Sequence, residues 1–136
     1  MEEKTSSDIH PNVWQLLSFA TSEKNIAQEY KIYLKSSKRN WFAYWRDDEI
    51  AGCIGIEGLS QQRCEIKHIA VSPSHRREGI GSQMIRYVFD HCTCVSLFAE
   101  TDKEAVQFYE QCGFIISSLG EKYPGVERFY CVLERH

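Results

Sequence analysis

The spacing of apolar positions changes several times along the chain, and the changes mark its elements. After a polar opening over residues 1–10, Val13, Leu16, Leu17 and Ala20 recur at helical spacing. Thr21 or Ser22 is placed to cap a second helix, with Ile26, Tyr30, Ile32, Tyr33 and Leu34 on its apolar side. A polar break over 36–40 follows. Residues 41–45 then read as an aromatic strand, 46–49 as a turn and 50–57 as the returning strand of a hairpin. A second turn over 58–63 leads into a third strand over 64–71. Ile80, Met84, Ile85, Val88 and Phe89 restore the helical period, predicting a helix that packs on a sheet. Residues 93–99 read as a strand. Thr101 or Asp102 can cap a helix over 103–112, with Ala105, Val106, Phe108, Tyr109 and Cys112 turned inward and Gly113 just past its end. Residues 114–117 resume as a strand, 121–127 read as a loop around Pro124-Gly125, and 128–134 close the chain as a strand. No strand is read in the polar segment ahead of Trp14.

The resulting order is α-α-β-β-β-α-β-α-β-β. Hairpins in the middle and strand–helix–strand crossovers later describe an α/β (α+β) domain, a mixed sheet with helices against it. A doubly wound dinucleotide fold would alternate regularly from the start. A length of 136 residues suits one domain around one core, with 1–10 as a flexible segment and 11–136 as the domain.

Charge and cysteine usage narrow the function classes. A formal net charge of −3 argues against a broad basic surface for nucleic acid, while leaving room for a local cationic site. No apolar run approaches the ~20 residues of a membrane span, and no apolar signal segment follows the opening MEEKTSSDIH, so a cytoplasmic location is expected. Six cysteines include no C-x-x-C, and none is grouped with histidine at zinc-ligand spacing; they are expected as small buried hydrophobes, with no metal.

One stretch carries chemistry. Between the strand ending at Val71 and the helix beginning near Ile80 lies a basic, glycine-bearing loop, His75-Arg76-Arg77-Glu78-Gly79-Ile80-Gly81. Gly79 and Gly81 permit tight curvature without a Cβ between backbone amide and ligand. The first N–H groups of the helix have no partner within it and point outward. Arg76 and Arg77 add charge-assisted donors, His75 is a further candidate, and Glu78 is expected to turn to solvent. R-x-x-G-x-G by itself describes a phosphate site or a plain tight turn into a helix. It is neither a Walker loop nor G-x-G-x-x-G, since residue 84 is Met84.

Taken with its neighbours, the loop resembles motif A of the GNAT superfamily of acyl-CoA N-acyltransferases, V-x-P-x-x-R/Q-x-x-G-x-G/A between a strand and a helix. Val71, Pro73, Arg76, Gly79 and Gly81 match it. A second family feature, A-x-x-F-Y-x-x-x-G-F, is matched by Ala105, Phe108, Tyr109, Gly113 and Phe114. The resemblance implies a single domain whose mixed, mostly antiparallel sheet parts between two neighbouring strands to hold acetyl-CoA. Those strands would be 66–71 and 95–98. It also implies that the backbone of Ile69, Ala70 and Val71 bonds the pantetheine arm. Arg76, Arg77, Glu78, Gly79, Ile80, Gly81 and Ser82 would wrap the diphosphate. Asp102 stands where many members carry an asparagine.

Acyl transfer of this kind needs a base or water relay to take a proton from the amine, donors for the oxyanion and an acid for the departing thiolate. The resemblance implies Tyr109 as the acid and Glu65 as the base. His68 in the same strand is a second base candidate; strand alternation puts it on the opposite face from Glu65 unless a bulge intervenes. The N–H of Ala70 or Val71 would polarise the carbonyl. Trp14, Tyr30, Tyr33, Trp41, Tyr44 and Trp45 are candidate walls for the acceptor or plain core. Acidic Asp47, Asp48, Glu57, Glu121 and Glu127 could attract a cationic amine. The expected partner is a small-molecule or peptide amine, with no nucleic acid and no membrane, acting as monomer or homodimer. The alternative is a non-catalytic acetyl-CoA-binding or sensing domain of the same fold.

Overall fold

The protein is described from a computed structural model that covers residues 2–3, 23–35 and 38–135. The helix expected over Val13–Ala20, the Thr21/Ser22 cap and Trp14 lie outside the described residues.

Among the described residues, seven strands form one sheet in the order β1-β2-β3-β4-β5-β7-β6. They are β1 (Glu2–Glu3), β2 (Arg39–Arg46), β3 (Glu49–Gly58), β4 (Arg63–Val71), β5 (Ser96–Asp102), β6 (Ile115–Tyr123) and β7 (Val126–Glu134). Helices α1 (Glu23–Lys35), α2 (Ile80–His91) and α3 (Val106–Gln111) complete the described elements. Every neighbouring pair is antiparallel except β4 with β5. That one parallel pair needs a crossover, and α2 supplies it.

Burial divides the sheet into two faces. Against α2 and α3 lie Phe42, Ile54, Ile56, Ile66 and Leu97, packed with Ile80, Met84, Ile85 and Val88. Against α1 lie Trp41, Ala43, Cys53 and Ala70, packed with Ile26, Tyr30 and Tyr33. The alternation Trp41/Phe42/Ala43 along β2 feeds both cores, as a strand buried on two sides must. Tyr30, Tyr33 and Trp41 are therefore core. Trp45, at 38% exposure, and the half-buried Tyr44 are not part of the α1-side core. The cysteines are free thiols, four of them buried.

Arg39 ties the α1 side together. Its Nε donates to Glu57 at 2.8 Å, a terminal nitrogen donates to Glu29 on α1 at 2.9 Å, and its guanidinium lies over the Tyr33 ring at 5.3 Å. Its side chain is 10% exposed, whereas the two acids keep access to water. Losing the shared cation leaves both carboxylates only partly solvated, a milder case than a fully buried pair. Arg39→Ala is expected to cost about 2 kcal/mol in urea unfolding. A change below about 0.5 kcal/mol would show the cluster to be an ordinary surface network.

Four sequence expectations are corrected. Glu2–Glu3 pairs with Ala43 and Phe42, so a strand does precede residue 14. Its pairing uses main-chain groups, which leave no pattern in so short a polar run. The expected loop over 121–127 is mostly hairpin: β6 continues to Tyr123 and the turn is Pro124-Gly125. β6 is an edge strand exposed for nearly its whole length, so it lacks the apolar alternation that signals a strand. The helix expected over 103–112 narrows to α3, because the Asp102 carboxylate accepts the Glu104 and Ala105 N–H groups at 3.0 Å each and holds a turn there first. Finally, the open arms of the parting strands are 66–71 of β4 and 99–102 of β5, since 96–98 is the paired root.

Candidate functional site

The site is built where β4 and β5 separate. They pair only at Arg63–Ser96, Cys64–Leu97 and Glu65–Phe98. Beyond that, β5 keeps its partner β7 out to Asp102, and the β5-facing edge of β4 is left open. The Ser72 N–H donates to the Ala51 carbonyl at 2.7 Å, toward β3. Antiparallel bonding alternates along a strand. The Ala70 peptide therefore also faces β3, while those of Ile69 and Val71 face the open side. Of the three residues expected to hold a pantetheine arm by main-chain bonds, Ile69 and Val71 face the open edge; Ala70 is spent within the sheet, its side chain in the α1-side core. Of the two N–H groups considered for polarising a carbonyl, that of Val71 is on the open edge and that of Ala70 is not.

At the end of this edge lies the basic loop. A single 3-10 turn, Pro73–His75, leads to Arg77 at φ 67° and Gly79 at φ 78°. Gly79 precedes α2, whose first bond is Gln83 N–H to the Gly79 carbonyl at 3.0 Å. A cleft of about 470 Å³ sits here, lined by Val71, His75, Arg76, Arg77, Gly79, Ile80, Gly81, Ser82, Phe108, Gln111 and Cys112. Arg76 Nε donates to the Val71 carbonyl at 3.3 Å, across the base of the loop. Glu78 does not line the cleft: Arg46 binds its carboxylate at 3.0 Å, and His75 Nδ1 lies 3.6 Å away. That distance is too long for a hydrogen bond, and Nδ1 is a buried nitrogen without a partner. Gly81 lines the cleft and also carries a packing constraint: a Cβ there would stand 2.7 Å from the Phe108 ring.

A second cleft of about 340 Å³ lies in the fork of the strands. It is lined by Ile66, Lys67, His68 and Ile69 of β4, Glu100, Thr101 and Asp102 of β5, Ala105, Tyr109 and Arg128. Phe108 and Tyr109, consecutive on α3, thus face the first and the second cleft respectively. Tyr109 is 5% exposed, with its ring against Phe108 and Phe114. Burial pushes its phenol well above the ordinary tyrosine range, with Cys131 and Cys112 adding to the shift. It is therefore a neutral O–H donor at any physiological pH.

The two base candidates part company. β4 carries a bulge: Gly55 pairs with His68 but Ile56 pairs with Ile66, so Lys67 is the extra residue. Glu65 pairs with Glu57 and His68 with Gly55, two positions apart on β3, so Glu65 and His68 share the α1 face instead of opposing each other. Yet only His68 lines the fork. Glu65 has turned to Lys67, 3.4 Å away, and lies outside both clefts. His68 is 8% exposed and its Nδ1 is 2.5 Å from the Tyr33 hydroxyl. Burial lowers its pKa, with Glu29 opposing the shift and Arg39 and Lys67 adding to it. The ring is neutral near pH 7.

Sequence reasoning did not single out Phe108, Gln111 or Cys112 as cleft walls, nor Arg128, which pairs with Glu100 at 3.3 Å. Phe108 could have been found, since it sits inside the second motif; the others have no local signal. Two of the acidic candidates for drawing in an amine are spent elsewhere, Glu57 on Arg39 and Glu127 on the Ser118 hydroxyl. His91 stacks on Tyr87 at the end of α2, 5.0 Å between ring centres, a structural use. No group of three metal-ligating side chains occurs among the described residues, and no described helix is long and apolar enough to cross a membrane.

Comparison with known proteins matches this geometry. The family model described as acetyltransferase (GNAT) family matches residues 7–114. A Bacillus methanolicus protein named as an uncharacterized N-acetyltransferase is 34% identical over 100 residues, covering 71% of this chain and 82% of that protein. Among solved structures, a GNAT-family acetyltransferase from Desulfovibrio desulfuricans superposes with TM-score 0.81 at 22% identity, over 98% of this chain and 96% of that one. A Bacillus subtilis acetyltransferase in complex with CoA gives 0.78 at 19% identity, over 99% of both chains. Both describe a likeness of fold.

Proposed function

Since the chain belongs to the acetyltransferase (GNAT) family, we propose that it transfers an acetyl group from acetyl-CoA to a primary amine by direct attack within a ternary complex. One observation carries the reading: the β4 edge is open beyond Glu65, ends in a cationic glycine loop, and faces a buried tyrosine across the fork. Each part fits a different section of the coenzyme. Backbone donors at the start of α2, with Arg76 and Arg77, suit a diphosphate. The Ile69 peptide and the Val71 N–H, on the open edge, suit a pantetheine arm that bonds as a strand would; the Val71 carbonyl already accepts from Arg76. Asp102 is committed to its own turn, which leaves it as a wall with no amide to offer.

In the reaction, the neutral amine nitrogen attacks the thioester carbonyl carbon. Its extra proton passes to a base on β4 as the C–N bond forms. The C–S bond then breaks, and the Tyr109 hydroxyl supplies the proton that leaves with sulfur as the coenzyme thiol. The acceptor is a small-molecule or peptide amine.

The test joins two measurements on the whole chain: calorimetric binding of acetyl-CoA, and thiol release over a panel of polyamines, amino acids, aminoglycosides and peptides. Amine-dependent thiol release supports the enzyme. Saturable binding with no release points to a sensing domain, and absence of binding removes both. Arg76→Ala with Arg77→Ala is expected to raise the Kd for acetyl-CoA about 10- to 100-fold, as two charge-assisted contacts are lost. Added salt should shrink that difference. An unchanged Kd would remove the diphosphate from this loop.

A further inference from the structure

The α1 side of the fork contains a buried polar pair that the two motifs do not include. His68 and Tyr33 meet at 2.5 Å, and three separate features are needed to bring them together. The Lys67 bulge turns His68 onto the α1 face. α1 presents Tyr33 there from 35 positions upstream. Gly55, opposite His68, leaves the space: a Cβ on it would stand 2.1 Å from the Tyr33 hydroxyl. His68 nonetheless remains part of the fork wall that Tyr109 faces. Glu65, by contrast, lines neither cleft and is paired with Lys67.

We propose that His68 is the base that takes the amine proton, and that Tyr33 is a positioning residue that holds its ring from behind. The inference rests on the acetyl-transfer reading above. With Nδ1–H donating to the Tyr33 oxygen, Nε2 carries the lone pair. As the amine nitrogen bonds to the thioester carbon, its proton moves to Nε2; the C–S electrons leave with sulfur, which takes the Tyr109 proton. The resulting imidazolium keeps its bond to Tyr33 and returns its proton to water after release, while the Tyr109 phenolate, whose raised pKa favours the protonated form, takes one back from water, so both groups are reset. No further reactant is required.

The charged surroundings are mixed. From α1 and β2 the ring feels Glu29 and Arg39, which bond each other; from its own strand, Lys67. Glu100, Asp102 and Arg128 share the fork, with Arg128 bonded to Glu100. Burial lowers the affinity of His68 for a proton, so its basic form persists to below the ordinary histidine value of about 6.5. Turnover at saturating amine should therefore be flat near neutrality and fall as pH drops below that value.

The experiment uses the most active amine from the thiol-release panel, with kcat measured from pH 5 to 9 and acetyl-CoA Kd measured alongside. His68→Asn should lower kcat about 100-fold, keep the Kd within about twofold, and abolish the acid limb. Tyr33→Phe should lower kcat by about tenfold and displace the limb without changing the KM for the amine. A purely structural pair would change stability and leave the limb in place. The proposal is overturned if His68→Asn retains the wild-type pH profile, or if Glu65→Gln is the variant that loses the limb. Should His68→Asn fail to fold, an undisplaced limb in Tyr33→Phe is sufficient to overturn it. Wild-type protein that releases no thiol with any amine removes the acetyl-transfer reading and this inference together, whereas brisk turnover with an unaltered His68→Asn profile removes this inference alone.

Discussion

Tyr109→Phe is expected to lower kcat about 100-fold while leaving acetyl-CoA binding within about twofold. The ring sits between Phe108 and Phe114, at 5.2 and 5.3 Å between centres, and phenylalanine keeps both contacts. The substitution therefore removes a donor and little packing. General acids contribute about 10²–10⁴-fold. The effect belongs at the low end here because the leaving group is a thiolate, whose conjugate thiol has an ordinary pKa of about 8.5, so it departs without full protonation. Since burial raises the Tyr109 phenol, its acid form persists above the ordinary value of about 10. Wild-type kcat should thus show no loss of this acid up to about pH 9, the top of the measured range. Single-turnover thiol release separates the chemical step from product release. An unchanged chemical rate in the variant would return Tyr109 to a packing role.

Gly55→Ala is expected to destabilise the protein by about 3 kcal/mol and to lower turnover in whatever molecules remain folded. The new Cβ would lie 2.1 Å from the Tyr33 hydroxyl and 2.3 Å from its Cζ, distances that require something to move. Tyr33 is 5% exposed and wedged against Trp41, with ring centres 5.6 Å apart, so it has little room. Overpacking a fitted core costs about 1–3 kcal/mol, and a rigid ring puts this site at the upper end. Urea unfolding measures the loss. Adding Tyr33→Leu should recover part of the stability but not the turnover, because the partner of His68 is then gone. Wild-type stability in Gly55→Ala would mean that β3 and α1 can separate freely, contrary to the packing described.

Most of the architecture was legible because apolar periodicity reports burial. The stripe Ile80, Met84, Ile85, Val88, Phe89 became α2 with all five side chains buried, and the order of described elements from α1 onward followed the reading. Legibility failed where burial fails: β6 lies exposed at the sheet edge, and β1 is a two-residue pairing too short to show a pattern. The loop was legible for a different reason. Glycine and proline at fixed offsets are local requirements of a tight turn into a helix, and Arg76, Arg77 and Gly79 line one cleft at that turn.

The sequence by itself determined the family, the mixed sheet, the basic loop and the tyrosine on α3, because each depends on residues near one another in the chain. Tertiary structure alone decided which peptides of β4 face the fork, that Glu65 and His68 share a face, and that only His68 lines the fork. A one-residue bulge at Lys67 reverses strand parity, and nothing in a period-2 pattern announces it. Tyr33 reaches His68 from another helix through a gap left by a glycine on a third element, a coincidence of three segments that no local spacing encodes.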